Sequence, residues 1–139
     1  FGDGGRERRF GEADRDILIG NTGNDFLSGG AGDDVLIGGT GRDVLSGGEG
    51  ADLFVFGISD STDRIKDFEV GTDKIGLVEG ELTFTDLMIT QTGNKTILGI
   101  SSSGKTLAIL QNFQASSLTE SSFEIVSNVT TLKDALAIL

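Results

Sequence analysis

Cysteine, proline, histidine, tryptophan and tyrosine are all missing from this chain of 139 residues, and methionine occurs once. Without cysteine there are no disulfides and no thiolate chemistry. Without histidine there is no imidazole for acid–base catalysis and no nitrogen ligand of the kind transition metals favour. Any ion that binds should be a hard one, held by oxygen. Positive charge is scarce too: 11 lysines and arginines face 22 acids, a formal net charge of −11. That balance repels nucleic acid and anionic membrane surfaces and attracts cations. The longest apolar runs, 107–110 and 135–139, fall far short of the ~20 residues that span a bilayer, so no transmembrane segment is predicted. The opening FGDGGRERRF has neither an initiator methionine nor the apolar stretch of a signal peptide. The chain therefore reads as part of a longer protein with an upstream domain, long enough itself for a short solenoid and a small companion module.

Glycine, by contrast, is abundant and concentrated: 12 of the 22 glycines lie in residues 11–55. That stretch repeats every nine residues as GEADRDILI, GNTGNDFLS, GGAGDDVLI, GGTGRDVLS and GGEGADLFV. A period this short cannot form a globule. Each unit supplies one turn and one short strand, and only stacking gives it a buried face. Position eight is Leu18, Leu27, Leu36, Leu45 and Phe54, one large apolar side chain per unit for a narrow core. Position six is Asp16, Asp25, Asp34, Asp43 and Asp52. Positions one, two and four are mostly glycine, which admits φ > 0 turns and lets backbone carbonyls converge. Carbonyls together with carboxylates are the donor set of a calcium site.

The pattern resembles the RTX family of calcium-binding nonapeptides, GGxGxDxUx. The units at 29–37, 38–46 and 47–55 match throughout, 20–28 has Asn21 in a glycine position, and 11–19 has Glu12 and Asp14 in two. The resemblance implies a right-handed parallel β-roll in which two units make one turn and each ion lies between turns 18 residues apart. One turn then offers the carbonyls of positions two and four plus its aspartate, and the next offers positions one and three plus its own. On that basis one ion uses Asn21, Gly23 and Asp25 with Gly38, Thr40 and Asp43. A second uses Gly30, Gly32 and Asp34 with Gly47, Glu49 and Asp52. A third, on the diverged unit, uses Glu12, Asp14 and Asp16 with Gly29, Ala31 and Asp34. The resemblance thus implies about three calcium ions, or up to about five with end sites.

Electrostatics makes the metal a condition of folding. Stacked strands lie ~4.8 Å apart, where two like charges repel by about 1 kcal/mol in water and ~3.5 at an effective dielectric near 20. The aspartates stack as two columns, 16/34/52 and 25/43, and ordering so many glycines adds a large entropic cost. A second pattern has a period of 18: the outward positions seven and nine are Ile17/Ile19, Val35/Ile37 and Leu53/Val55 in alternate units, against Phe26/Ser28 and Val44/Ser46 in the others. One sheet should be apolar on both faces and needs a cover, for which the chain's own C-terminal part is the nearest candidate.

Residues 2–10 keep the nine-residue frame loosely, as a decayed repeat. After the repeats, Asp63-Arg-Ile-Lys-Asp-Phe-Glu-Val-Gly-Thr-Asp-Lys-Ile-Gly-Leu77 resembles the DxIxDFxxGxDxIxL element that follows RTX repeats in secreted bacterial proteins. The resemblance implies that it closes the roll, with Asp60, Asp63 and Asp67 as candidates for a last ion site. Short β-rich runs at 74–78, 86–90, 96–100, 106–110 and 123–126 suggest a small antiparallel meander. Thr131 as N-cap, with Leu132, Ala135, Leu136 and Leu139 at helical spacing, predicts a short terminal helix. The expected organisation is a repeat stub at 1–10, the roll at 11–57, a β-rich cap at 58–130, and a helix or secretion tail at 131–139.

The fold class expected is all-β, a parallel β-roll with an antiparallel cap. The expected function is a calcium-dependent folding and secretion module of an extracellular protein, passed through type I secretion machinery as the family resemblance implies. Catalysis is not expected: triads lack their histidine or cysteine, and a two-carboxylate hydrolase would have to use acids outside the repeat columns. An adhesive or surface-layer module stiffened by calcium is the other reading, although Thr22 and Thr40 are too few to form an outer threonine array.

Overall fold

The computed structural model describes residues 5–57 and 62–126. Six strands follow the repeat frame: β1 (Arg8–Phe10), β2 (Ile17–Ile19), β3 (Phe26–Ser28), β4 (Val35–Ile37), β5 (Val44–Ser46) and β6 (Leu53–Phe56). Six more follow: β7 (Asp63–Ile65), β8 (Lys74–Val78), β9 (Leu87–Thr92), β10 (Lys95–Ile100), β11 (Thr106–Leu110) and β12 (Phe123–Val126). Three short 3₁₀ turns, and no longer helix among the described residues, complete the chain. The expected terminal helix at 131–139 lies outside the described residues.

Alternate strands go to opposite sheets, as two units per turn requires. One sheet runs β1-β3-β5-β7-β11-β10-β9 and the other β12-β8-β6-β4-β2. All repeat strands pair in parallel with a shift of 18, such as Leu18 to Leu36 to Phe54. Position eight faces the space between the sheets, and Leu27, Leu36, Leu45 and Phe54 are fully buried there.

The roll does not stop where the nine-residue period stops. β7 stacks on β5 with Leu45 opposite Ile65, and β8 stacks on β6 with Phe54 opposite Ile75. The spacing has grown from 18 to 20 and 21 residues, so two or three extra residues bulge into the turns while the strands keep register. Ile65 and Ile75 thereby extend the apolar column, both fully buried. The post-repeat element is thus a further turn of the roll as well as its closure. The expected meander is also smaller than its five runs: β9, β10 and β11 are antiparallel neighbours, whereas β8 and β12 pair in parallel in the opposite sheet. β11 extends the edge at β7 and β12 extends the edge at β8. Phe68 ties the two parts together, 6.0 Å from the Phe54 ring and edge-on at 5.4 Å to Phe113.

With one large apolar residue per unit, each carries much of the core. Leu36→Ala, measured by urea unfolding in saturating calcium, should cost about 2–5 kcal/mol; Val44→Ala on the outer face should cost much less.

Candidate metal centre

The aspartates of position six sit where each turn enters its strand, and the stack makes them two continuous ladders. The backbone N–H of Asp16 donates to Asp34 Oδ1 (2.8 Å), that of Asp34 to Asp52 Oδ1 (2.9 Å), and that of Asp52 to Asp73 Oδ1 (2.9 Å). In the other ladder Glu7 N–H donates to Asp25 Oδ1 (2.9 Å), Asp25 to Asp43 and Asp43 to Asp63 (both 2.8 Å). One oxygen of each carboxylate thus fixes the turn before it. Asp25, Asp34, Asp43, Asp52, Asp63 and Asp73 are all buried.

The second oxygen has no such general role. At the ends of the first ladder it accepts a backbone N–H, Glu12 to Asp16 and Glu69 to Asp73, both at 2.9 Å. In the interior, Oδ2 of Asp34 and of Asp52 is buried with no hydrogen-bond donor. A buried charged oxygen left this way costs several kcal/mol, as an order of magnitude, unless a cation or a proton neutralises it.

The backbone brings more oxygen to the same places. At Gly29 a Cβ would overlap both Asp34 Oδ2 and the Gly47 carbonyl; at Gly20 it would lie 2.7 Å from both Asp25 Oδ2 and the Gly38 carbonyl. Gly11 has the same relation to Asp16 and Gly29. In each case an aspartate of one turn and the position-one carbonyl of the next share a small volume that only glycine leaves open. At position four, Gly32 has φ +98° and a Cβ there would collide with the Asp14 carbonyl. Asp14 (φ 80°) and Asn21 (φ 68°), which replace glycine in the diverged units, take the same left-handed region, which aspartate and asparagine tolerate best. The position-two carbonyls of Glu12, Asn21 and Gly30 accept N–H groups from Ala31, Thr40 and Glu49 at 3.1, 2.9 and 3.1 Å, and a carbonyl oxygen carries two lone pairs.

These donors fit a hard cation: all are oxygen, some are charged, and they are enclosed by turns that exclude a side chain. No three His, Cys, Asp or Glu side chains converge among the described residues, so a bound ion must take backbone carbonyls as well as the carboxylates.

Of the post-repeat candidates, Asp63 joins a ladder. Asp67 is exposed and accepts from Gly47 N–H, Gly48 N–H (both 2.9 Å) and the Ser46 hydroxyl (2.8 Å), standing in for the backbone acceptor that Ser46 supplies to Gly29 one turn earlier. Asp60 lies outside the described residues. Asp73 was missed as a ladder member because it falls 21 residues after Asp52. The signal was present: Asp63-Arg-Ile65 and Asp73-Lys-Ile75 keep the Asp-x-apolar triplet of each repeat. Also missed were the position-five residues Asn24 and Asp33, whose side-chain oxygens accept the N–H of Arg42 and Ala51 at 2.8 Å.

Burial raises the carboxyl pKa of Asp34, Asp52 and Asp73. Asp52 is pushed from 3.8 to about 7, first by desolvation and then by the charges of Asp73, Asp34 and Asp67. Because these groups hold protons more tightly folded than unfolded, they favour the metal-free roll at low pH and disfavour it as pH rises from about 4 through about 7. In chelator, β-structure followed by circular dichroism should therefore fall between pH 4.5 and 7.5, and calcium affinity should fall as pH drops through the same range. Equal folding of the metal-free chain at both pH values would contradict this.

A profile of the RTX calcium-binding nonapeptide repeat, in four copies, matches residues 1–36, 10–45 and 28–62. No curated protein sequence matches the chain. Among solved structures, the chain is similar to the AlgE6R3 subunit of the Azotobacter vinelandii mannuronan C5-epimerase, with 27% identity, TM-score 0.69, and coverage of 89% of this chain and 80% of that one. The AlgE6R2 subunit of the same enzyme gives 27% identity and TM-score 0.60 over 86% and 93% of the two chains. The extracellular lipase LipA from Serratia marcescens shares the fold at 22% identity and TM-score 0.64, over 83% of this chain and 20% of the lipase. Residues 1–62 are RTX calcium-binding nonapeptide repeats, and the chain that carries them shares the β-roll fold of these solved structures.

Proposed function

We propose that this domain binds about three calcium ions between its stacked turns and that their binding drives its folding. The observation that carries this reading is the pair of buried Asp34 and Asp52 oxygens without a donor, each in a turn whose glycines leave room for nothing larger than backbone. The ions would be held by Asn21, Gly23 and Asp25 with Gly38, Thr40 and Asp43; by Gly30, Gly32 and Asp34 with Gly47, Glu49 and Asp52; and by Glu12, Asp14 and Asp16 with Gly29, Ala31 and Asp34. Bound calcium supplies the positive charge that lets like-charged turns stack. The chain's own part is to fix the spacing through the Oδ1 ladders and to keep water from the ions with Leu27, Leu36, Leu45 and Phe54 beneath.

The role that follows is structural rather than catalytic. In calcium-poor surroundings such a chain stays unfolded, and where calcium is abundant it folds, which suits a module that is exported before it folds. The similarity to a domain of an extracellular lipase supports an extracellular location for the parent protein, and the family supports type I secretion as its route.

Calcium stoichiometry tests the assignment of the sites. Asp34 serves two of them and Asp25 one, so in calorimetric titration Asp34→Ala should lose about two ions and Asp25→Ala about one, while exposed Glu79→Gln should lose none. Equal losses for Asp34→Ala and Glu79→Gln would overturn the register of the sites.

A further inference from the structure

The chain carries 22 acids against 11 bases, yet one of its surfaces reverses that balance. The strands of the seven-stranded sheet contain a single acid, Asp63, and it is buried in a carboxylate ladder. On the outer face of that sheet Arg8, Phe26, Val44, Arg64, Ile109 and Ile97 stand opposite one another in one row, strand to strand. Two more cations flank the row. Lys66 holds its Nζ 5.9 Å from the centre of the Phe26 ring, and Lys95 points outward because Thr96, next to it in β10, is buried inward. Arg8, Arg64, Lys66 and Lys95 are all exposed, and among the described residues none of them is held in an ion pair.

Apolar side chains fill the spaces between these cations. Phe10 and Met88 are 61% and 50% exposed on this face, and Phe26, Val44, Ile97 and Ile109 are half-buried. The Arg8 guanidinium lies 5.6 and 5.4 Å from the ring centres of Phe10 and Phe26. Exposed aromatic, methionine and arginine side chains with acids left out are the composition of a protein interface. The cations ask for carboxylates and the Val, Ile and Met side chains ask for apolar partners. Nucleic acid suits the face poorly: a net charge of −11 opposes a dense polyanion at long range, and the Phe26 ring on which a base would stack already carries Arg8 and Lys66. A sugar chain would bring no large apolar side chain to Met88, Ile97 and Ile109. The shape narrows the choice further. From β1 to β9 the sheet measures six strand spacings, ~29 Å, while its two outward rows lie only ~7 Å apart. A strip so narrow falls short of the ~800 Å² that each side of a standard interface buries, and it suits a single segment of chain.

We propose that the outer face of the seven-stranded sheet docks an extended acidic segment of another protein, about nine residues long, in which carboxylates alternate with apolar side chains. Its acids pair with the four cations and its apolar side chains lie on Phe26, Val44, Ile109 and Ile97. Acids four residues apart in an extended chain are ~13 Å apart, close to the three strand spacings, ~14 Å, between Arg8 and Arg64. Docking requires only the folded sheet, whatever ions occupy its turns.

Fluorescence anisotropy in calcium at low salt, with folding checked by circular dichroism, tests this. The probe is the labelled peptide Glu-Val-Val-Glu-Glu-Val-Val-Glu-Glu, each face of which alternates acid and valine when extended; labelled nona-glutamate, oligothymidylate and oligogalacturonate are compared with it. The mixed peptide should bind severalfold more tightly than nona-glutamate although it carries fewer charges, and more weakly as salt rises. Arg64→Glu combined with Lys66→Glu should weaken it at least about tenfold. Ile97→Ser should weaken the mixed peptide severalfold and leave nona-glutamate unchanged, and Lys74→Glu on the other sheet should change neither. No binding of the mixed peptide, or binding that survives Arg64→Glu with Lys66→Glu in a folded roll, would overturn the proposal. So would binding no tighter than that of nona-glutamate, which is charge attraction alone. Tighter binding of oligothymidylate or oligogalacturonate would assign the face to nucleic acid or carbohydrate and overturn it equally. If the double variant does not fold, Lys95→Glu on β10 decides in its place.

Discussion

The structure depends on stacking carboxylates of one sign in a place from which water is excluded. Each aspartate of position six both builds and opposes the fold. Its Oδ1 accepts the N–H of the aspartate one turn back, at 2.8–2.9 Å throughout Asp16, Asp34, Asp52 and Asp73, and so sets the register of the stack. Its charge then lies one strand spacing from the next, and desolvation raises the carboxyl pKa of Asp34, Asp52 and Asp73. Protons relieve this only as the pH falls, for Asp52 through about 7. Where the carboxylates are ionised a divalent cation is the remaining solution, and the convergent carbonyls make one fit.

The rest of the fold follows from keeping the turns close. Glycine at position one lets the next turn's carbonyl approach the carboxylate, and at position four it lets successive turns lie directly on one another. Turns this tight leave room for one large inward side chain per unit, so the core is a single-file column. A thin column has open ends. At the C-terminal end β11 and β12 pair with the roll's last strands, Phe68 packs on Phe54, and Phe113 packs on Phe68. The cap therefore supplies apolar burial that the repeats, rich in glycine and aspartate, cannot supply themselves.

Much of this was legible in the sequence because the repeat is a strict period. Position six gave the ladders, position eight the core, and positions seven and nine, taken every 18 residues, the apolar outer face on which Ile19, Val35, Ile37 and Val55 are buried. The reading ended where the period ended. Two or three inserted residues hid the stacking of β7 and β8, although strand pairing tolerates such insertions in its turns. The runs at 74–78 and 123–126 were recognisable as strands, but their partners were not: parallel pairing joins residues far apart in sequence, and Phe123 opposite Ile75 leaves no local trace. The position-five ladder of Asn24 and Asp33 was likewise hidden, since its column also holds arginine and alanine and only the shared geometry of stacked turns reveals it.

The central claim is that the roll is assembled by calcium, and the most direct measurement is far-UV circular dichroism together with hydrodynamic radius at neutral pH, first in chelator, then through a calcium titration, with magnesium as control. The account predicts an expanded, largely unstructured chain in chelator that becomes compact and β-rich with calcium but not with equal magnesium. A chain already compact and β-rich in chelator would contradict it.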